Sequence, residues 1–592
     1  MNDTPRGIER GRDGFYHPAS VEDVQELAAV AAKRGVPLRV RGSGHSPKRA
    51  IHGDRYTGEG SPPADSIEAV MEQMKSVRVV EEHDDHAIVE VEGGCHLGRD
   101  PYDITKTSTW GNSFNHQIDQ KGWALDGLGG ISHQTIAGFM LTGSSGGSVT
   151  SSAGNNIVGV QFVDGTGEVH DVSEGDEMFD AAGVSMGLLG VITKVRFRVR
   201  PRYNLAGGER TVEMADLPYD MFGEGNGKPS FVDYMKETPY SRVLWWPQNN
   251  VHRFQFWDAR PMGADEPYEH QPFTILTATD SARGSLLMNL IGHIDDLNGL
   301  RSALREIDWY ERFRQAHDEP IEEDINAYAD PPCGQADQDH VMRDVEECLA
   351  RALEDGGAGT AYTEPGPLSS LGAKVLTKFV RALVEGDMSA LLVDNVVGPL
   401  LRKFLPSLID EVVKLFIVIE NKTFQDRWFI GLPMDNQMDD KLWGTSFTEL
   451  WMPIDKADEV MRRARDHFGT GDLEERYSKT GPYSLEVYPG PSSRFWMSPG
   501  YDQMSVRFNP FWLDSWPGRP VERFAPYWDM FKDLGFRTHW GKYLPPPSDA
   551  WRAHYRNVLP RFEDFLALRA KLDPKQIFVS KYWRDHLGIP EV

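Results

Sequence analysis

The run Arg41-Gly42-Ser43-Gly44-His45-Ser46-Pro47 constrains this chain more than any other feature. It follows Val36–Val40, a short apolar stretch with the length and composition of a strand. Glycines at 42 and 44 tolerate positive φ and leave their N–H groups bare, so a turn here can close around a bound group. The dinucleotide fingerprint needs a further glycine and a helix directly behind it. Here His45, Ser46 and Pro47 follow, and Pro47 disfavours helical backbone at Ser46. The turn is therefore not that fingerprint. A ligand nest and a tight turn with a locally bonded histidine both satisfy these residues.

A chain of 592 residues exceeds one hydrophobic core, so two domains with an insertion are expected. The net charge of -26 argues against nucleic acid and against anionic membrane surfaces as partners, since both need clustered Lys and Arg. The three cysteines, Cys95, Cys333 and Cys348, form no close pair, so neither a metal site nor a disulfide framework is expected. Met1–Gly14 is polar, and no apolar run reaches the roughly 18 residues of a transmembrane span. A cytoplasmic protein is the expectation.

The first 205 residues read as α+β without a regular βαβ period. Ser20 is a good N-cap with Asp23 at the capping-box position; Val24, Leu27, Ala28 and Ala31 share one face, and Gly35 can end the helix. Strands are expected at Ser76–Val80, Ala87–Val91, Ile157–Val163 and Val191–Val199, with Asp164-Gly165-Thr166-Gly167 as a hairpin turn. Residues 280 to 420 carry long helical patterns, such as Leu286–Arg314, His340–Glu354 and Leu371–Val384. The Leu-, Val- and Ile-rich stretch 389–419 reads as a buried helix pair or as an apolar cover over a substrate channel. Strand signals return after residue 425, and Phe562–Leu572 reads as a short C-terminal helix.

A second glycine-rich segment runs from Ile131 to Ser148. Small residues from Thr142 to Ser148 cannot build a core, but they can surround a cofactor with backbone donors and hydroxyls. Near the other end, Glu486 and Tyr488 of Ser484–Tyr488 share one face of a strand by period-two alternation.

Together these segments resemble the vanillyl-alcohol-oxidase-type (PCMH-type) FAD enzymes, and in particular the aldonolactone oxidase and alditol oxidase branch. Residues 41–47 look like the flavin-attachment loop, which implies that Arg41, Gly42, Ser43, Gly44, His45 and Ser46 bind FAD and that His45 is bonded to the flavin C8α methyl. Residues 131–148 are similar to the family pattern Ile-Ser-x-x-Thr-x-Ala-Gly followed by Thr-Gly-Thr-His-Gly. That implies cofactor contacts at Ser132, Thr135, Gly138, Thr142, Gly143, Ser144, Ser145 and Gly146, although Ser145 stands where many relatives carry histidine and Gly147 where alditol oxidases carry serine. Asp176–Thr193 resembles a third segment, implying close approach at Gly187 and Gly190 and a backbone contact to adenine at Val191-Ile192. His539-Trp540-Gly541-Lys542 matches the branch's His-Trp-Gly-Lys motif, which implies that Lys542 stabilises negative charge on the flavin. Glu486 would take the family glutamate's role, binding or deprotonating the substrate hydroxyl. Tyr488 stands where the branch places arginine, and Asn509 about where alditol oxidases place histidine. Glu449, in a stretch similar to Glu-Tyr-x-x-Pro, would have a structural or pocket-wall role.

The resemblance covers roughly residues 14–206 and 425–592. It implies an α+β architecture: an FAD-binding PCMH-type domain over 1–206, a substrate (cap) domain over 207–548 with an antiparallel sheet and a helical insertion at about 275–420, and a segment, 549–592, that returns to the FAD domain. The implied reaction is oxidation of a CH–OH group on a small-molecule alcohol, with hydride passing to flavin N5 and O2 as acceptor, giving H2O2. A dehydrogenase with another acceptor and a non-catalytic flavin-binding protein are the alternatives.

Overall fold

Ser20 Oγ accepts from Asp23 N at 3.2 Å and starts a helix over Val21–Arg34, which Gly35 closes with φ 62°. Asp23 does not reciprocate to Ser20; its carboxylate accepts from Ala19 N at 2.8 Å, one residue further out. Val24, Leu27, Ala28 and Ala31 are buried along that helix. These details come from a computed structural model that describes residues 8–249, 251–273, 410, 413–414, 417–436, 444–481, 483–514, 516 and 518–592. The helical patterns expected at Leu286–Arg314, His340–Glu354 and Leu371–Val384, and nearly all of 389–419, lie outside the described residues.

Leu38–Arg41 is a strand paired in parallel with Ile67–Val70, and it delivers the chain into the first glycine turn. A six-stranded antiparallel sheet stands beside it, in the order Val77–Glu82, Ala87–Glu92, Val191–Pro201, Ile157–Val163 and Val169–Ser173, with Trp123–Ala124 paired to Val191–Pro201. The expected hairpin joins Ile157–Val163 to Val169–Ser173; Asp164 Oδ1 accepts from Thr166 N at 2.8 Å and Glu168 N at 3.0 Å and so holds the turn closed.

The C-terminal end is more helical than the sequence pattern suggests. Three helices occur, Asp549–Val558, Phe562–Leu572 and Lys581–Leu587, and Tyr555, Phe562, Phe565 and Trp583 share one apolar core with Phe114, Phe139 and Phe197. Main-chain and side-chain bonds tie this end to the first strand. Leu38 N donates to Ile577 O at 2.8 Å, Trp583 Nε1 to Ala50 O at 2.8 Å, and the buried Arg39 to Phe578 O and Ala50 O, both at 2.7 Å.

A larger sheet of nine strands follows the order Asn421–Arg427, Asn204–Glu213, Arg253–Pro261, Tyr240–Trp246, Leu485–Gly490, Ser505–Leu513, Leu450–Pro453 and Arg537–Thr538, with Thr445–Phe447 paired to Ser505–Leu513. On one face Val243, Trp245, Leu485, Val487, Val506 and Phe508 pack with residues of the helices Phe231–Glu237, Ala457–Gly469 and Pro520–Phe531. Strand alternation then sends the intervening residues to the opposite face. That face carries Arg242, Glu486, Tyr488 and Arg507, which line a cavity.

Candidate functional site

The glycine turn is built by close backbone packing. A Cβ on Gly42 would stand 2.5 Å from Thr135 Oγ1, and one on Gly44, at φ +90°, would stand 2.6 Å from the Arg41 guanidinium. Thr135 in turn caps the helix Ile136–Thr142 by accepting from Gly138 N at 3.2 Å. Ser43 Oγ donates to His133 O at 2.6 Å. The two glycine segments, 90 residues apart in the chain, are thereby fastened to each other.

Between them lies a cavity with about 1310 Å³ of atom-free space, its open mouth included. Arg41, Gly42, Ser43, Gly44, His45, Ser46, Thr135, Gly138, Thr142, Gly190 and Ile192 all line it, as does Gly187. At Gly187 a Cβ would meet nothing nearer than Leu141 at 4.0 Å, so its backbone borders open space. Gly190 is different: a Cβ there would stand 2.4 Å from Val163 O, so the hairpin itself demands the glycine.

A second, wider cavity, with about 2100 Å³ of atom-free space, opens over the face of the large sheet. Ser144, Ser145 and Gly146 line it together with Glu486, Tyr488, Arg507, His539 and Lys542. The two cavities share Gly44, His45 and Gln134. His45 therefore stands at their junction. Burial, and then the neighbouring His133, push the pKa of its imidazole down to about 3, so the ring is neutral and nucleophilic at ordinary pH. The His133 ring centroid lies 5.6 Å away, and a His96–Asp100 pair at 3.5 Å belongs to the same surroundings. The sequence reading passed over His133, His96 and Asp100.

Two expected cofactor residues are placed elsewhere. Ser132 is fully buried and lines neither cavity; its hydroxyl accepts from Asn436 Nδ2 and its N–H donates to Asn436 Oδ1, both at 2.7 Å. Gly143, at φ 73°, is the left-handed cap of the helix Ile136–Thr142 and faces Val184.

On the sheet face, strand register decides which side chains meet. Glu486 lies opposite Asn509 and Tyr488 opposite Arg507. Asn509 Nδ2 donates to Glu486 Oε2 at 2.8 Å and to the Tyr488 hydroxyl oxygen at 3.2 Å. Asn509 is thus a buried support for its two neighbours, and its own side chain does not line the cavity. Burial raises the pKa of Glu486 to about 7, against the opposing pull of Arg242. A carboxyl at that value exchanges a proton readily near neutral pH.

Arg242 is a cation that the sequence reading missed. It comes from the adjacent strand Tyr240–Trp246, and its Nη1 lies 2.6 Å from Asp435 Oδ1 and 3.6 Å from Glu486 Oε1. Its sequence gives little sign of this: Arg242 merely stands ahead of the apolar run Val243, Leu244, Trp245 and Trp246. Glu449 is wholly buried; despite that burial, the Arg507 guanidinium beside it holds its carboxyl below the usual carboxylate range. Lys542 Nζ sits 3.9 Å above the Phe447 ring. The Trp-Gly-Lys turn abuts the histidine turn, since a Cβ on Gly541 would stand 3.0 Å from Ser46 Oγ.

The mixed helices and antiparallel sheets, with two cavities that meet at the glycine turn, have the fold class of PCMH-type flavoenzymes. Over its whole length the chain resembles a solvent-stable cholesterol oxidase (TM-score 0.60, 11% identity, 99% of this chain and 100% of that one). It also resembles cholesterol oxidase from Brevibacterium sterolicum (TM-score 0.57, 12% identity, 99% of each chain). Residues 446–586 match the family model described as D-arabinono-1,4-lactone oxidase. The D-arabinono-1,4-lactone oxidase of Saccharomyces cerevisiae is 30% identical over 206 residues, covering 34% of this chain and 35% of that protein. The L-gulono-1,4-lactone dehydrogenase of Mycobacterium tuberculosis is 30% identical over 216 residues, covering 36% and 44%. The chain is thus similar in sequence to aldonolactone oxidases over part of its length, and in fold to cholesterol oxidases. The matched stretch spans only about a third of the first curated relatives it resembles. Among the described residues no helix is long and apolar enough to cross a membrane.

Proposed function

We propose that this protein is an FAD-dependent oxidoreductase that oxidises a CH–OH group, with FAD held covalently through His45. The supporting observation is the position of His45, which lines both the glycine-bordered cavity and the cavity carrying Glu486. The first cavity suits a flavin dinucleotide: Gly42, Gly44, Gly138, Gly187 and Gly190 border it, and Gly187 leaves space along it. Residues 1–206 and 549–592 form the cofactor domain in this reading, and 207–548 the substrate domain.

The cofactor would be held by Arg41–Ser46, Thr135, Gly138, Thr142, Gly190 and Ile192, with Ser144, Ser145 and Gly146 at the cavity junction. FAD supplies a two-electron acceptor for the hydride when bound. Glu486, with a pKa of about 7, takes the substrate's hydroxyl proton. Arg242 keeps part of the Glu486 population ionised. Lys542 brings a positive charge to the junction, where negative charge develops on reduction. Oxygen is the proposed acceptor that completes turnover and gives H2O2. The dehydrogenase name of the mycobacterial relative keeps a second acceptor class in view.

Three measurements separate these statements. After acid precipitation the yellow colour should remain with the protein, and His45→Ala should release it; colour wholly in the wild-type supernatant would remove the covalent bond and leave flavin binding standing. Anaerobic addition of alcohols, sugars and aldonolactones should bleach the flavin with at least one of them; a flavin that none reduces would overturn the oxidoreductase reading. Peroxide formed in step with substrate supports the oxidase, and reoxidation only by an added dye supports the dehydrogenase.

A further inference from the structure

The family arginine absent at position 488 has a counterpart one strand away. Arg507 lies directly opposite Tyr488 in the register, with its guanidinium carbon 3.9 Å above the Tyr488 ring and 4.4 Å from the Trp451 ring. All of its nitrogens are occupied. Nε donates to Glu449 Oε1 at 2.8 Å, and Nη1 to Ser145 O at 2.8 Å, Ser145 Oγ at 3.0 Å and Gly146 O at 3.2 Å. Nη2 pairs with Glu449 Oε1 at 2.6 Å and donates to the Tyr488 hydroxyl oxygen. With its donors engaged within the protein, this guanidinium acts on a ligand through the groups it holds.

The Tyr488 oxygen has two acceptor lone pairs and one proton. Arg507 Nη2 fills one lone pair and Asn509 Nδ2 the other. Neither partner can accept, because guanidinium and amide nitrogens only donate. The phenolic proton must therefore point away from both. The Tyr488 side chain lines the wide cavity, so the cavity is the direction left open. Burial holds the phenol well above its ordinary pKa, and it remains a neutral donor. Beside it Glu486 is an acceptor, held by the same Asn509 nitrogen, so one substrate oxygen can meet both groups.

Resting on the alcohol oxidation proposed above, we infer that Tyr488 is a fixed hydrogen-bond donor to the reacting oxygen, aimed by Arg507 and Asn509 as positioning residues. In the step the substrate O–H breaks with its electron pair staying on oxygen, and its proton goes to the Glu486 carboxylate. The C–H bond would break with its pair leaving as hydride to the two-electron acceptor that bound FAD would supply, and the pair on oxygen would close the C=O bond. Tyr488 keeps its proton throughout and steadies the charge that builds on oxygen in between.

The test uses holoenzyme and the alcohol that reduces its flavin fastest in the panel. Tyr488→Phe removes only the hydroxyl. Its limiting rate of flavin reduction should fall about 10²- to 10³-fold, while the substrate concentration giving half the limiting rate moves by less than about threefold. The ketone or aldehyde formed from that alcohol should bind Tyr488→Phe about five- to tenfold more weakly by calorimetry, the loss of one hydrogen bond. Arg507→Lys should restore part of the reduction rate lost in Arg507→Met. Equal rates and equal product affinity in wild type and Tyr488→Phe would overturn the tyrosine's role while leaving the oxidoreductase reading intact. A wild-type flavin that no alcohol reduces would overturn both.

Discussion

The two cavities that meet at His45 are made in opposite ways. The first is bordered by glycines at 42, 44, 138, 187 and 190 beside larger side chains such as Met186 and Trp540. Its shape comes from glycines and small residues that let main chain approach main chain, and its two segments are fastened by Ser43 and Thr135. The second carries Arg242, Glu486, Tyr488 and Arg507, set on adjacent strands and selected by register. Backbone packing leaves little tolerance for an added carbon, whereas a side-chain surface can change its chemistry and keep its frame.

That contrast predicts a graded response to mutation. The largest effect falls where the two regions touch. Ser241 N donates to Gly147 O at 2.7 Å, and a Cβ on Gly147 would stand 1.9 Å from Ser241 O. Gly147→Ala should cost about 3 kcal/mol or more, read as a lower denaturant midpoint of the whole chain; an unshifted midpoint would mean that the contact yields easily. Next comes Glu486→Gln, expected to slow flavin reduction about 10²- to 10⁴-fold with little change in melting temperature, because a carboxamide keeps the frame. If it destabilised the chain as much as Gly147→Ala, the division between backbone-built and side-chain-built regions would fail.

The pH dependence sharpens the same point. Glu486 must be ionised to accept a proton, so the reduction rate should climb as pH rises through about 7 and level off above it. Arg242 favours the ionised form, and Arg242→Met should move that inflection upward by about one unit. A downward move would contradict the placement of this cation. The smallest expected effect is Ser43→Ala, which deletes one fastening bond and should cost about 1 kcal/mol, measured as a small loss of stability.

The same contrast explains what the sequence made legible. The first turn, Thr135, Gly138 and Thr142 are readable because backbone approach calls for glycine and small polar residues at fixed local spacing. Glycine identity alone did not separate Gly187, which borders open cavity, from Gly190, which makes room for Val163, or from Gly143, which caps a helix. Ser132 looked like a cofactor ligand in its motif, but Asn436, some 300 residues away, claims its hydroxyl. On the sheet, Glu486 and Tyr488 were legible as alternating neighbours. Arg242 was not, since only the register of Tyr240–Trp246 against Leu485–Gly490 brings it beside Glu486. Strand pairing over more than 240 positions is a tertiary fact, and one strand's pattern does not encode its partner.

The central claim is that the neutral imidazole at the cavity junction is bonded to the flavin. Intact-mass measurement of the acid-denatured protein, followed by peptide mapping, tests it directly. The account predicts a mass increased by that of FAD less two hydrogens, carried by the peptide that contains His45. An unmodified mass from a preparation that showed flavin absorbance before denaturation would contradict it.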